Sequence, residues 1–145
     1  MKLNYNLKCN LAHVLNIIGD KWTLLVLHRI FKGVSIYKDL LEVLSPIPTN
    51  ILSNRLKTLE ENELIKSELY TAHPPRYKYI LTEKGEDFKD IFYSMIMWAN
   101  KYLDGCNKTV LHEKCGEEVK IKYYCEKCNE YTEDVIVKEK DDEKN

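Results

Sequence analysis

Apolar side chains fall along this sequence in short blocks of helical spacing, each cut by glycine, proline or polar residues. Leu11, Val14, Leu15 and Ile18 recur on one helical face, Gly19-Asp20 interrupts them, and a second apolar run extends from Trp22 to Phe31 ahead of Gly33. Ser35 stands where an N-cap would, before a stripe of Ile36, Leu40, Leu41 and Leu44 that predicts a third helix. After the rigid Ser45-Pro46-Ile47-Pro48 turn, Leu52, Leu56 and Leu59 predict a helix over 48–61, with Pro48 suited to its first turn and Leu64-Ile65 closing it off. Residues 66–71 and 77–82 are β-prone and flank Ala72-His73-Pro74-Pro75-Arg76, whose prolines cannot sit in a paired strand, so a hairpin with a stiff tip is expected. From Thr82-Glu83-Lys84-Gly85 the spacing predicts one long helix carrying Phe88, Ile91, Phe92, Met95, Trp98, Ala99 and Tyr102. Its aromatic stripe is broader than one small domain needs, and it asks for a partner surface.

The opposite side of the 48–61 helix carries Thr49, Asn50, Ser53, Asn54 and Lys57, and Arg55 nearby is expected to contact DNA with them. Two short helices joined by a tight turn, the second presenting small polar groups and followed by a hairpin, suit the major groove of double-stranded DNA. The hairpin tip would then meet the adjacent backbone or minor groove through Arg76, Lys78 and His73. A solvated helix face and a solvated turn account for the same polar residues, because any amphipathic helix has such a face.

Charge qualifies this picture without deciding it. The 145 residues carry a formal net charge of −1, which alone argues against a phosphate-rich partner. The acidic excess, however, lies at the far end: residues 106–145 hold eight basic and eleven acidic groups, whereas residues 1–34 hold Lys2, Lys8, Lys21, Arg29 and Lys32 against Asp20. No stretch approaches the roughly eighteen apolar residues of a membrane span, and no secretory leader is evident, so a cytoplasmic protein without membrane contact is expected.

Three ordered segments, Ile17-Ile18-Gly19-Asp20-Lys21-Trp22-Thr23-Leu24-Leu25-Val26-Leu27, Leu52-Ser53-Asn54-Arg55-Leu56-Lys57-Thr58-Leu59-Glu60 and Pro74-Pro75-Arg76-Tyr77-Lys78-Tyr79-Ile80-Leu81-Thr82-Glu83-Lys84-Gly85, resemble the HxlR family of winged-helix regulators, relatives of the MarR group. The resemblance covers roughly residues 9–103. It implies a homodimer that binds DNA through the helix near 48–61 and the wing near 70–79, with terminal helices forming the dimer. Pro48 departs from it, since the family commonly has serine there. Cys9, thirteen residues before Trp22, matches an N-terminal cysteine that in several such proteins resembles a sensor of oxidants or electrophiles, although Asn10 replaces the usual following proline. A helix start and the neighbouring Lys8 and His13 favour a reactive thiolate; the alternative is a half-buried thiol packing the first helix.

Five cysteines in an intracellular chain point to metal ligands or redox thiols. His112-Glu113-Lys114-Cys115-Gly116 and Cys125-Glu126-Lys127-Cys128-Asn129 give two ligand pairs with the spacing of a tetrahedral structural Zn²⁺ site. Gly116 and Asn129 are the two residue types that tolerate the positive φ of a metal knuckle. Val119–Tyr123 alternates like a strand that could pair with Tyr131–Val137, which predicts a zinc-ribbon-like module. Cys106 is left over, as a packing thiol or a substitute ligand.

The expected organisation is a mainly α winged helix-turn-helix domain over 1–105, a small β module over 106–137 and a disordered charged tail over 138–145. The expected function is that of a non-enzymatic, DNA-binding transcriptional regulator. The competing readings are a zinc-ribbon protein-interaction module and a CxxC redox protein. No phosphate-binding loop, nucleophile elbow or His-Glu-x-x-His pair supports an enzyme.

Overall fold

The structure, a computed structural model, describes residues 4–140. The element order is α1 (Asn10–Ile18), α2 (Thr23–Phe31), α3 (Tyr37–Val43), α4 (Thr49–Glu61), β1 (Ile65–Thr71), β2 (Arg76–Leu81), α5 (Glu83–Glu86), α6 (Lys89–Tyr102), β3 (Tyr123–Cys125) and β4 (Glu130–Thr132). This is a mainly helical chain with a small antiparallel hairpin behind a helix-turn-helix. It forms two compact units, one up to Tyr93 and one from Ser94 onward. The division falls inside α6, earlier than the expected boundary after residue 105.

The core of the first unit gathers the predicted stripes of α2, α3 and α4, while Leu11, Val14 and Leu15 of the predicted α1 stripe are exposed. Val26, Leu27 and Ile30 of α2, Leu40 and Leu44 around α3, Leu52, Leu56 and Leu59 of α4, and Leu64-Ile65 at the start of the hairpin are all buried together. Each fully buried leucine among them contributes about 1.5–3 kcal/mol by leaving water. Ser35 does not cap α3: the cap residue is Ile36, with no side-chain hydrogen bond, and the Ser35 carbonyl instead accepts from the Tyr79 amide at 2.7 Å. That bond ties β2 to the loop before α3. Similarly, Pro48 occupies the N-cap of α4 in extended conformation, just outside the first turn.

The hairpin pairs Ile65 with Leu81, Glu68 with Lys78 and Leu69 with Tyr77, then shifts register before Thr71–Arg76. The predicted long helix is two helices. The Thr82 side chain accepts from the Gly85 amide to start α5, α5 ends at Glu86, and α6 begins at Lys89. Gly85 is required here, because a Cβ would lie 2.0 Å from the Leu64 carbonyl oxygen. Phe92 belongs to the core at 4% exposure and packs against His28, Phe31 and Phe88. Ile91 and Tyr93, by contrast, are exposed.

In the second unit, β3 and β4 form a two-stranded hairpin with Tyr124 opposite Tyr131, and Leu111 bridges Glu118. Both ladders are shorter than expected: Val119–Lys122 and residues 133–137 take no strand structure. Their apolar side chains remain exposed, Ile136 at 79% among them, so no packed face holds them in a sheet. Residues 138–140 also lack regular structure, and the rest of the predicted disordered tail, 141–145, lies outside the described residues, as does Lys2.

Candidate nucleic-acid interface

Helix α4 turns one face into the core through Leu52, Leu56 and Leu59. Thr49, Asn50, Ser53, Asn54 and Lys57 are all exposed. The pairing of α3 with α4 is fixed by Tyr37, whose hydroxyl donates to the Thr49 carbonyl at 3.0 Å and lies 3.2 Å from Ser53 Oγ. With Pro48 as its cap, α4 has no side-chain acceptor over its first amides and no acidic residue in its first turn. Its positive end is therefore open to an anion.

Arg55 is placed differently from its polar neighbours. Its Nε lies 3.1 Å from Asp20 Oδ1, and the two side chains are only 20% and 16% exposed. The N–H is not aligned for a hydrogen bond, so the contact is Coulombic. Asp20 also accepts from the Trp22 and Thr23 amides at 2.9 and 3.0 Å and from the Thr23 hydroxyl. Burial pushes its carboxyl up, but these hydrogen bonds and Arg55 outweigh that and hold it below the ordinary aspartate value. The signal for this pair was present in the spacing: Arg55 follows Leu52 by three and precedes Leu59 by four, which puts it at the edge of the buried stripe.

On the hairpin, Arg76 and His73 are exposed at the tip. Lys78 sits further down, 3.8 Å from Glu68, which also meets Lys66 at 3.5 Å. Lys57 stands 3.8 Å from Glu61 one turn on, both well exposed. Such exposed pairs contribute little and yield readily to a phosphate. At the base of the hairpin, Ser67 binds Glu60 through its amide and hydroxyl, at 3.1 and 2.7 Å, which anchors β1 to α4.

Two further groups of candidate residues lie elsewhere. Cys9 is exposed and is itself the N-cap of α1, where its carbonyl accepts from the His13 amide at 3.1 Å. Reciprocal hydrogen bonds between Tyr5 backbone and the Asn16 side chain, 2.7 and 3.1 Å, hold the preceding segment against this helix. A half-buried packing role for Cys9 is not what the chain shows. In the second unit, His112 Nδ1 lies 3.1 Å from Cys115 Sγ. The Cys125 thiol is lowered in pKa by the Cys128 amide first, then by the Cys128 thiol and the Lys127 amide. Gly116 and Asn129 adopt φ of 75° and 52°. Each pair is thus assembled, but among the described residues no three His, Cys, Asp or Glu side chains converge as a metal-holding group. Cys106 lies apart, lining a shallow hollow with Ile96, Ala99, Asn107 and Lys108.

Comparison with known proteins agrees with this architecture. Residues 17–107 match the HxlR-like helix-turn-helix family. An uncharacterized HTH-type transcriptional regulator of Mycobacterium tuberculosis is 33% identical over 124 residues, covering 83% of this chain and 78% of its own. The HTH-type transcriptional regulator YodB of Bacillus subtilis is 29% identical over 99 residues, covering 68% of this chain and 88% of its own. The reduced form of YodB superposes with a TM-score of 0.58 at 27% identity, over 70% of this chain and 100% of that one. YodB has also been solved bound to quinone and after diamide treatment. The redox regulator HypR in its reduced form gives a TM-score of 0.62 at 25% identity, over 66% and 95% of the two chains. No helix among the described residues is long and apolar enough to cross a membrane. The chain therefore belongs to the HxlR-like helix-turn-helix family and is a DNA-binding transcriptional regulator.

Proposed function

We propose that the protein binds double-stranded DNA as a homodimer, with α4 in the major groove and the β1–β2 tip against the flanking backbone, and that Cys9 makes this binding responsive to electrophiles. The observation that carries the reading is α4 itself. Its inner face is locked by three buried leucines, while Thr49, Asn50, Ser53, Asn54 and Lys57 stand exposed beside an uncapped, positive helix end. Small polar side chains reach base edges, and bare N-terminal amides receive a phosphate. Arg76 at the hairpin tip and Lys78 behind it would add phosphate contacts. Arg55 contributes by bracing α4 through Asp20, not by reaching DNA.

A single recognition helix covers only a half-site, so tight binding needs two chains. The surfaces that would join them are the uncovered apolar side chains of the terminal helices. Leu11 and Leu15 of α1 are 72% and 46% exposed, and Met95, Trp98 and Tyr102 of α6 are 51%, 58% and 60% exposed. Isolated chains rarely leave such a series in water.

The Cys9 reading follows from its exposure at the start of α1 and from the quinone-bound state of YodB. The Cys9 sulfur adds to a quinone ring carbon and forms an S–C bond while the ring π pair moves to a carbonyl oxygen; that oxygen takes the thiol proton, and the hydrogen on the attacked carbon passes as a proton to the second carbonyl oxygen, giving a hydroquinone thioether. The test of the whole reading is selection of bound duplexes from a random library, followed by affinity measurement across a salt series with and without quinone. A steep fall of affinity with salt on a two-fold symmetric site, weakened by quinone only while Cys9 is present, is the expected result. Failure to select any duplex would refute it.

A further inference from the structure

The two Glu-Lys turns of the second unit have one common build. In the first, the Gly116 amide donates to the His112 carbonyl and the His112 amide to the Glu117 carbonyl, both at 2.8 Å. Gly116 follows with φ of 75°, and Leu111 pairs with Glu118 behind the turn. In the second, Cys125 and Cys128 lie on either side of a tight turn over 126–129. Asn129 follows with φ of 52°, held there by the Tyr124 hydroxyl on its side-chain oxygen, and β3 pairs with β4 behind it. A left-handed residue after the second ligand and a short antiparallel pairing beneath are shared by both turns, and they keep two ligands of a tetrahedral site on the same side of a turn, as His112 Nδ1 and Cys115 Sγ are at 3.1 Å. A left-handed residue other than glycine is uncommon, so Asn129 held in that state marks a turn selected for its geometry.

We infer that His112, Cys115, Cys125 and Cys128 bind one Zn²⁺-class cation within a single chain, and that the metal draws the two preformed turns together. His112 Nδ1 and Cys115 Sγ already meet at 3.1 Å within the first turn, and no three of the groups converge among the described residues, so a single cation would have to hold the two pairs together. The second unit has little else to fold around. Leu111, Ile121, Tyr123, Tyr124 and Tyr131 are all at least 44% exposed, and a module this small commonly draws its folding free energy from its metal. Three thiolates and one imidazole match the ligand types of structural zinc. The set leaves no coordination position for a substrate, so the site is structural. Cys106, beside Ile96 and Ala99, is not part of it.

The test uses the full chain purified without chelator. Elemental analysis should give one zinc per chain. Titration of the metal-stripped, reduced protein with Co²⁺ should produce the visible bands of tetrahedral thiolate coordination, with an endpoint of one metal per chain and displacement by Zn²⁺. Cys125→Ser and Cys128→Ser should abolish the bands, His112→Cys should keep them, and Cys9→Ser and Cys106→Ser should leave them unchanged. Far-UV circular dichroism of each variant guards against loss of the first unit, and His112→Ala gives a second ligand deletion if a cysteine variant misfolds. An endpoint of one metal per two chains would overturn the single-chain site. So would reduced protein that shows no bands, or protein isolated with a Cys125–Cys128 disulfide and no metal.

Discussion

The Asp20 carboxylate and the Arg55 guanidinium meet at 3.1 Å between the turn that starts α2 and the middle of α4. The carboxylate is also fixed by two amides and the Thr23 hydroxyl, so it serves as the capping group of α2 and as the anchor of the recognition helix at once. Removing one partner leaves the other as a largely buried charge. Arg55→Ala or Asp20→Ala should therefore cost about 1–3 kcal/mol of stability, read as a lower urea midpoint with an unchanged slope. Arg55→Ala should weaken DNA binding in proportion to its effect on folding and should leave the salt dependence as it is. A reduced salt slope in a fully folded Arg55→Ala protein would return that arginine to the phosphate contacts.

The same carboxylate gives an acid dependence whose direction is fixed. Its folded pKa lies below the ordinary value of 3.8, so the unfolded chain binds the proton more readily. The stabilisation is therefore complete above about pH 5, and it is lost as the pH falls through the unfolded value toward the lower folded one. The urea midpoint of the wild type should drop across that acid window, and in Asp20→Asn this component of the drop should vanish. An identical acid profile in both proteins would contradict the assignment.

Helices α2, α3 and α4 were legible because each turns apolar residues of regular spacing into the core, and Leu52, Leu56 and Leu59 alone locate α4; the stripe that predicted α1 is instead exposed at Leu11 and Leu15. What the pattern did not reveal depends on contacts between distant residues. Ser35 has the chemistry of a cap, but its backbone is spent on Tyr79. The break between α5 and α6 arises because the Thr82 cap and the close approach of Gly85 to Leu64 fix a short first helix, whereas the apolar spacing runs through it without interruption. Phe92 lies on the same stripe as Met95 and Trp98, yet a ring cluster takes it into the core and leaves the other two outside. In the second unit the positive φ of Gly116 and Asn129 followed from residue type alone; the extent of the strands did not, because nothing packs on them.

The polar face of α4 should divide into groups that read bases and groups that bind phosphate. Asn50→Ala or Asn54→Ala should cost about 1–3 kcal/mol of binding at particular operator positions, while Arg76→Ala or Lys57→Ala should weaken all duplexes alike and reduce the salt slope by about one. Anisotropy titrations on matched and scrambled duplexes at several salt concentrations separate the two patterns. Uniform loss from the asparagine variants would move them to the backbone contacts.

Dimerisation is best tested away from Phe92, which is only 4% exposed, so that a charged substitution there would unfold the first unit. Met95→Glu and Trp98→Glu alter exposed positions on α6, and Leu11→Glu does so on α1. Each should shift the protein from dimer to monomer in analytical ultracentrifugation while far-UV circular dichroism stays constant. Affinity for a two-half-site duplex should fall at least tenfold, because each chain would then bind a half-site alone. A wild-type protein that sediments as a monomer would exclude the proposed assembly.

Cys9 and Cys106 are both exposed, which makes them an internal comparison of reactivity. Cys9 stands at the amino end of α1, with its side chain making no cap hydrogen bond and therefore open to a reagent from solvent. Cys106 lies past the carboxyl end of α6, in a hollow formed with Ile96 and Ala99, whose walls limit the approach of a reagent. Brief treatment with a limiting amount of an alkylating agent or a quinone, quenched and mapped by mass spectrometry, should therefore modify Cys9 several-fold faster than Cys106. The measurement is made on zinc-loaded protein so that Cys115, Cys125 and Cys128 do not compete. Cys9→Ser should abolish the effect of quinone on DNA affinity without changing affinity in its absence, since residue 9 lies outside the α4 and hairpin contacts. Equal labelling of the two thiols, or a quinone response that survives Cys9→Ser, would remove Cys9 as the sensor and leave DNA binding by α4 and the hairpin unaffected as a reading.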